Sequence, residues 1–199
     1  MAFQHLNRCG DVYLLQAGQR TRTGKPRFYF GRKLTGEPVE EIPKGYEVFE
    51  SPERGQVYLR RQRPTWIASI DREIVVEGIR RLSNVQHFVV DVEDDSLVVY
   101  LPTKSVAEVN ELVCQLAGPD ALQVPRCREA RDRVIRESKY QKMMRFLLLD
   151  PSERLFEVER WCFRNWYQGW IHLAGPASLS DLVEWFAEHL GEESFYELF

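Results

Sequence analysis

The chain has 199 residues, 44% hydrophobic and 29% charged, with a formal net charge of −3. That composition excludes a disordered polymer, and the lack of any apolar run near ~20 residues excludes a helical membrane span. Aromatic residues make up 12% of the chain, enough to build core layers from Trp, Tyr and Phe. The opening segment MAFQHLNRCGD has no apolar signal region, so the expected compartment is the cytoplasm.

Residues 1–64 read as β structure. VYLLQAG and RFYFGRK are two predicted strands, separated by Gly18 and the TRTGKP stretch. GYEVFE and GQVYLRR form a second pair around the Ser51–Gly55 turn, and Pro38 and Pro43 keep the intervening chain out of helix. The short connections make this unit antiparallel.

Helix begins after Pro64. Ile70, Ile74, Val75, Ile79 and Leu82 recur at helical spacing, with Ser69 or Asp71 as cap. QHFVVDV and SLVVYLP follow as strands joined at Glu93-Asp94-Asp95. A helix from Ser105 carries Val106, Val109, Leu112, Val113 and Leu116 on one face and stops at Gly118-Pro119. A third helix spans about 126–138. KMMRFLLLD and RLFEVERWCF are the next strand pair, and WIHLA is a further strand. A last helix is capped by Ser178, with Asp181 three residues on, and ends at Gly191.

The order helix, strand, strand, helix occurs twice, with first helices near 71 and 127 and first strands near 87 and 143, an offset of 56 in both cases. A degenerate repeat and a coincidence of common units both explain it. The expected fold is therefore α+β: an N-terminal antiparallel β unit over 1–64, then a larger region over 65–199 of antiparallel strand pairs packed with helices.

Charge is segregated along the chain. Residues 1–36 carry seven bases and one acid, 37–53 one base and six acids, and 54–64 four arginines and no acid. Residues 126–148 carry eight bases and three acids, whereas 149–199 carry three bases and ten acids. Such blocks steer charged partners, or neutralise one another within the fold.

The stretch GKPRFYFGRK sets cations among aromatics, as surfaces for nucleic acid do. Arg20, Arg22, Lys25, Arg27, Arg32 and Lys33 are the candidate phosphate contacts, and Tyr29 the candidate base contact. Strand alternation puts Tyr29 with Arg27 on one face and sends Phe28 and Phe30 to the other. The opposing reading is a solvated sheet whose cations are met by the acids of 37–53. The helix RCREARDRVIRESK spreads its bases around the wheel and reads as salt-bridged and exposed rather than as a groove reader.

Other clusters carry less. Asp91, Glu93, Asp94 and Asp95 crowd a turn without a companion Lys or His, so a solvated turn is favoured over a Mg²⁺ site. Cys9, Cys114, Cys127 and Cys162 have neither disulfide nor zinc spacing, and His5, His87, His172 and His189 are scattered. Cys162 and His172 stand ten residues apart but lack a nucleophile motif. No metal or cofactor is expected. The hairpin WCFRNWYQGW and the tail SFYELF, with Trp161, Trp166, Trp170, Phe195 and Phe199, read as aromatic core or as a partner surface.

The functional expectation is a non-catalytic binding or adaptor protein that contacts nucleic acid through the N-terminal basic–aromatic sheet. Two alternatives stand beside it: an enzyme whose site is assembled from sequence-distant residues, and a protein-interaction module using the Trp-rich hairpin and C-terminal tail.

Overall fold

The computed structural model describes residues 1–19, 24, 26–164 and 167–198, with only the backbone described at 164, 167 and 168. Among them are four α-helices and eleven strands, every pairing antiparallel, in three sheets, so the fold is α+β. No helix of the described residues is long and apolar enough to cross a membrane. The chain divides into two compact units, one of residues 1–63 with 104–139 and the other of 64–103 with 140–199.

In the first unit, β2 (Val12–Gly18) is the central strand. It pairs with β3 (Arg27–Gly31) along one edge and with β1 (Gln4–Leu6) and the two-residue β4 (Glu37–Pro38) along the other. Leu15 is fully buried at the middle of this sheet. A separate hairpin pairs β5 (Tyr46–Glu50) with β6 (Val57–Arg61), and β3 lies against β6. The Phe28 ring meets Tyr46 edge-on at 6.4 Å, and Phe30 meets Phe3 at 6.2 Å. These two phenylalanines are half-buried, and they leave the opposite face of β3 to Arg27 and Tyr29.

Polar ties hold the loops of this unit. The buried Asn7 amide donates to the Gly55 carbonyl at 2.6 Å and its oxygen accepts from Asp11 N at 2.8 Å. The same unit contains a helical hairpin of α2 (Val106–Ala117) and α3 (Pro125–Glu137). Ser105 caps α2 reciprocally: its hydroxyl accepts from Glu108 N at 3.1 Å, and Glu108 Oε2 accepts from Ser105 N at 2.8 Å. The bond from Ser105 N, above all, holds the Glu108 carboxyl below its ordinary range. Pro125 occupies the first turn of α3, where its missing N–H costs nothing.

The second unit is a five-stranded meander in the order β11 (Tyr167–Ser178), β10 (Leu155–Arg164), β9 (Tyr140–Asp150), β8 (Ser96–Pro102), β7 (Val89–Glu93). The two strand pairs expected from sequence are joined edge to edge by β8 and β9, with a register shift near Met143 that turns both Met143 and Met144 into the core. α1 (Ser69–Leu82) and α4 (Leu179–Phe186) pack against each other beside one face. Ile79, Leu97, Met144, Phe146, Phe156, Val158, Leu182, Leu190 and Phe195 are all at most 1% exposed there. Burial of side chains this size stabilises by roughly 1.5–3 kcal/mol each.

Two helix starts show how sequence becomes structure. Ser178 caps α4 as expected, accepting from Asp181 N at 3.2 Å. At α1 the capping position is Ala68, ahead of both expected caps, Ser69 and Asp71, and Asp71 takes part from the third helical position. The Asp71 carboxylate reaches back to Ala68 N at 2.6 Å and also binds the Arg154 guanidinium. Gly78 sits where α1 meets α4: a Cβ there would lie 2.1 Å from Val183 Cγ1.

Candidate nucleic-acid interface

Of the seven predicted phosphate and base contacts, Arg20, Arg22 and Lys25 lie outside the described residues. The other four are on β3 and the loop that follows it. Arg27 opens the strand and is exposed, paired across to Gly18. Tyr29 stands two residues on, across from Gln16, and is half-buried. Its ring lies against Gly18, where a Cβ would come within 3.0 Å of Tyr29 Cε1, and its hydroxyl is 3.3 Å from Thr35 Oγ1. One edge of the tyrosine is thus packed on the sheet.

The loop carrying Arg32 and Lys33 is held from beneath by Gln16, which is fully buried. The Gln16 side chain donates from Nε2 to the Lys33 carbonyl at 2.9 Å, and its Oε1 accepts from the amides of Thr35 and Gly36, both at 2.7 Å. One side chain therefore satisfies three backbone groups and orders residues 33–36.

The cations differ in what they already hold. Arg32 is paired to Asp11 at 2.7 Å and bonded to the Tyr13 hydroxyl at 3.4 Å, so it is neutralised within the unit. Arg27 and Lys33 are exposed, and among the described residues no carboxylate lies within salt-bridge reach of either. The acids of 37–53 do fold back on bases, but on others: Glu50 takes Arg8 at 3.4 Å, Glu47 takes Arg60 at 2.6 Å, and Glu40 takes the N-terminal ammonium.

Grouping the sequence by unit gives the charge balance. The first unit holds nineteen Lys/Arg against thirteen Asp/Glu, a net of +6. The second holds eight against seventeen, a net of −9. On α3, Arg126, Arg128, Arg133 and Arg136 are exposed, whereas Arg131 pairs with Asp132 at 2.7 Å.

Sequence reasoning missed the outer face of β5–β6. Phe49 and Tyr58 are cross-strand partners with rings stacked at 28° and 6.5 Å, and the Arg60 guanidinium lies 4.1 Å over the Phe49 ring. The signal was in GQVYLRR: alternation puts Tyr58 and Arg60 on one face, in a segment with four bases and no acid.

The residues expected to meet a protein partner are dispersed. Trp161 and Trp170 are half-buried cross-strand partners, edge-to-face at 5.1 Å, and Arg145 stacks over Trp170 at 4.6 Å while paired to Glu159. Phe195 is fully buried in the core of its own unit. Trp166 and Phe199 lie outside the described residues. The aromatic pair that faces solvent here is Phe163 with Tyr196, edge-to-face at 6.3 Å.

The other clusters serve the fold. Asp95 accepts from Trp66 N at 2.9 Å, and Glu93 holds Lys142 at 2.7 Å and the Tyr100 hydroxyl. Cys162 pairs across to Gly169 and His172 to Glu159, so the two side chains leave opposite faces of the sheet. Among the described residues no group of three or more His, Cys, Asp and Glu is placed to hold a metal ion. No protein-family model matches the chain, and no curated protein or solved structure matches it.

Proposed function

We propose that this chain is a non-catalytic binding protein whose basic unit holds nucleic acid through the β3 face and the loop after it. The observation that carries the reading is the charge division: a chain of net −3 contains a compact unit of +6, and within it Arg27 and Lys33 are exposed with no carboxylate in reach among the described residues. Arg27 and Lys33 supply phosphate contacts, and the free side of Tyr29 supplies a ring for a base. Arg32 has a positioning role, because Asp11 already holds its charge.

The test is a gel shift of the full chain with a 20-nucleotide oligonucleotide. The double variant Arg27→Glu/Lys33→Glu removes two phosphate contacts and adds two repulsions, so the shift is lost at physiological salt. An unchanged shift in the double variant removes this site assignment.

A second reading, docking of a protein on the acidic unit, is favoured by the exposed Phe163–Tyr196 pair. It predicts that a photo-crosslinker placed at position 196 traps one discrete protein in cells. An adduct pattern identical to that of a crosslinker at exposed Glu73 removes it.

A further inference from the structure

We infer that the outer face of the β5–β6 hairpin is a stacking platform for unpaired bases, so that the nucleic acid taken by this protein is single-stranded. The inference rests on the nucleic-acid reading of the basic unit and adds to it a site and a ligand class.

Tyr58 is 48% exposed in the middle of a paired strand, on the face turned away from buried Val57. An isolated exposed tyrosine on a sheet is ordinary, but this one is held in place. Its hydroxyl donates to Gln56, its ring stacks on Phe49 across the pair, and Phe49 is covered in turn by the Arg60 guanidinium. Arg60 is itself fixed by Glu47 at 2.6 Å. The chain of contacts Glu47–Arg60–Phe49–Tyr58 leaves the tyrosine few conformations to lose when a flat ligand lies on it.

Charge identifies the occupant. Arg54 in the hairpin turn is exposed, and among the described residues it has no carboxylate within salt-bridge reach; Arg61 shares the opposite face with Val57 and is not part of the platform. An exposed ring on a hairpin whose turn carries an exposed guanidinium, in a unit of net positive charge, fits a base joined to phosphates. In a duplex the base faces are covered by their neighbours, and only single strands or unstacked loops present a π-face to a protein. A purely apolar partner would leave the charge of Arg54 unused.

The experiment uses the full chain with fluorescent oligo(dT) of 20 nucleotides and a 20-base-pair duplex of mixed sequence, in anisotropy titrations at matched salt. The expected result is preference for the single strand. Tyr58→Ala should weaken oligo(dT) binding by roughly tenfold, as loss of one stacked base does. Tyr58→Phe should retain binding, and the salt slope should be the same in all three proteins, because no phosphate contact has changed. A second measurement covers the case in which Tyr58→Ala perturbs the hairpin. Photo-crosslinking of the unaltered protein to oligonucleotide carrying 5-iodouracil should put the adduct on the tryptic peptide that contains Tyr58. Duplex preference, unchanged affinity in Tyr58→Ala, or adducts confined to other peptides each overturn the platform while leaving nucleic-acid binding intact. Failure of the unaltered protein to bind either oligonucleotide overturns both.

Discussion

The two units of this chain solve the same problem, keeping strands and helices together, by different means. In the 64–103/140–199 unit one apolar cluster runs from α1 through the meander to α4, with many large side chains wholly buried. In the 1–63/104–139 unit the fully buried large apolar side chains among the described residues are Leu15 and Ile135, while Phe3, Phe28, Phe30 and Tyr46 are only half-buried. There the loops are secured by single polar side chains: Asn7 on Gly55, Gln16 on residues 33–36, and Arg8 on Glu50 and the Ser51 carbonyl. The unit with the larger core carries the acidic balance, and the unit held by polar ties carries the basic one. A surface offered to a ligand needs ordered backbone more than a thick core, and buried hydrogen bonds supply that order locally.

The comparison breaks most sharply under core truncation. Phe146→Ala should cost about 3–5 kcal/mol and speed amide exchange across β8, β9 and β10. An effect under 1 kcal/mol by denaturant unfolding would mean that the cluster is not the main support of that unit.

Gly78→Ala is a finer probe of the same unit. Helix propensity alone favours alanine by about 1 kcal/mol, whereas the added methyl meets Val183 Cγ1 at 2.1 Å. Overpacking of a stiff β-branched neighbour outweighs propensity, so the variant should be destabilised by about 1–2 kcal/mol. A gain in stability would show that α1 and α4 part easily.

In the basic unit, Gln16→Ala should cost about 1–2 kcal/mol by removing the bonds to three part-buried backbone groups, the Lys33 carbonyl and the Thr35 and Gly36 amides. Its exchange signature should be confined to residues 33–39. Loss of protection throughout β1, β2 and β3 would contradict the local role given to this side chain.

The smallest effect is chemical. Burial pushes the Cys9 thiol up, and Glu50, Asp11 and Glu137 add to the rise against the lowering influence of Arg8. Alkylation of Cys9 by iodoacetamide at pH 8 should therefore be slower than that of a free thiol, and should accelerate only as pH passes above the ordinary cysteine range. Peptide-resolved mass spectrometry reads it, and fast labelling at pH 8 would contradict the stated environment.

Much of the local structure was legible because it follows from short-range chemistry. Ser105 with Glu108 and Ser178 with Asp181 mark helix starts, and alternation in RFYFG separates Phe28 and Phe30 from Tyr29. What stayed hidden depends on distant neighbours. Nothing in VYLLQAG marks Gln16 as buried; the loop that covers it arrives some twenty residues later. The Ala68 cap works because Asp71 is fixed by Arg154, eighty-three residues away. The joining of two strand pairs through β8 and β9 spans the whole α2–α3 hairpin, and that hairpin clusters with residues 1–63 rather than with the strands on either side of it. The order that suggested a repeat recurs only in part: two strands separate α1 from α2 but three, β9 to β11, separate α3 from α4, and α1 packs against α4 whereas α3 packs against α2. At the candidate site the cations could be named from sequence, yet Asp11 as the partner of Arg32 could not, since they are 21 residues apart and meet only when β2 and β3 pair.

On the proposed reading, exposed cations of the basic unit hold a polyanion. This is tested most directly by the slope of log Kd against log salt concentration for oligo(dT), measured on the unaltered chain and on Arg27→Glu/Lys33→Glu. The unaltered chain should give a steep slope, with the double variant shallower by about two phosphate contacts and weaker at every salt concentration. Equal slopes and equal affinities in the two proteins would contradict that reading.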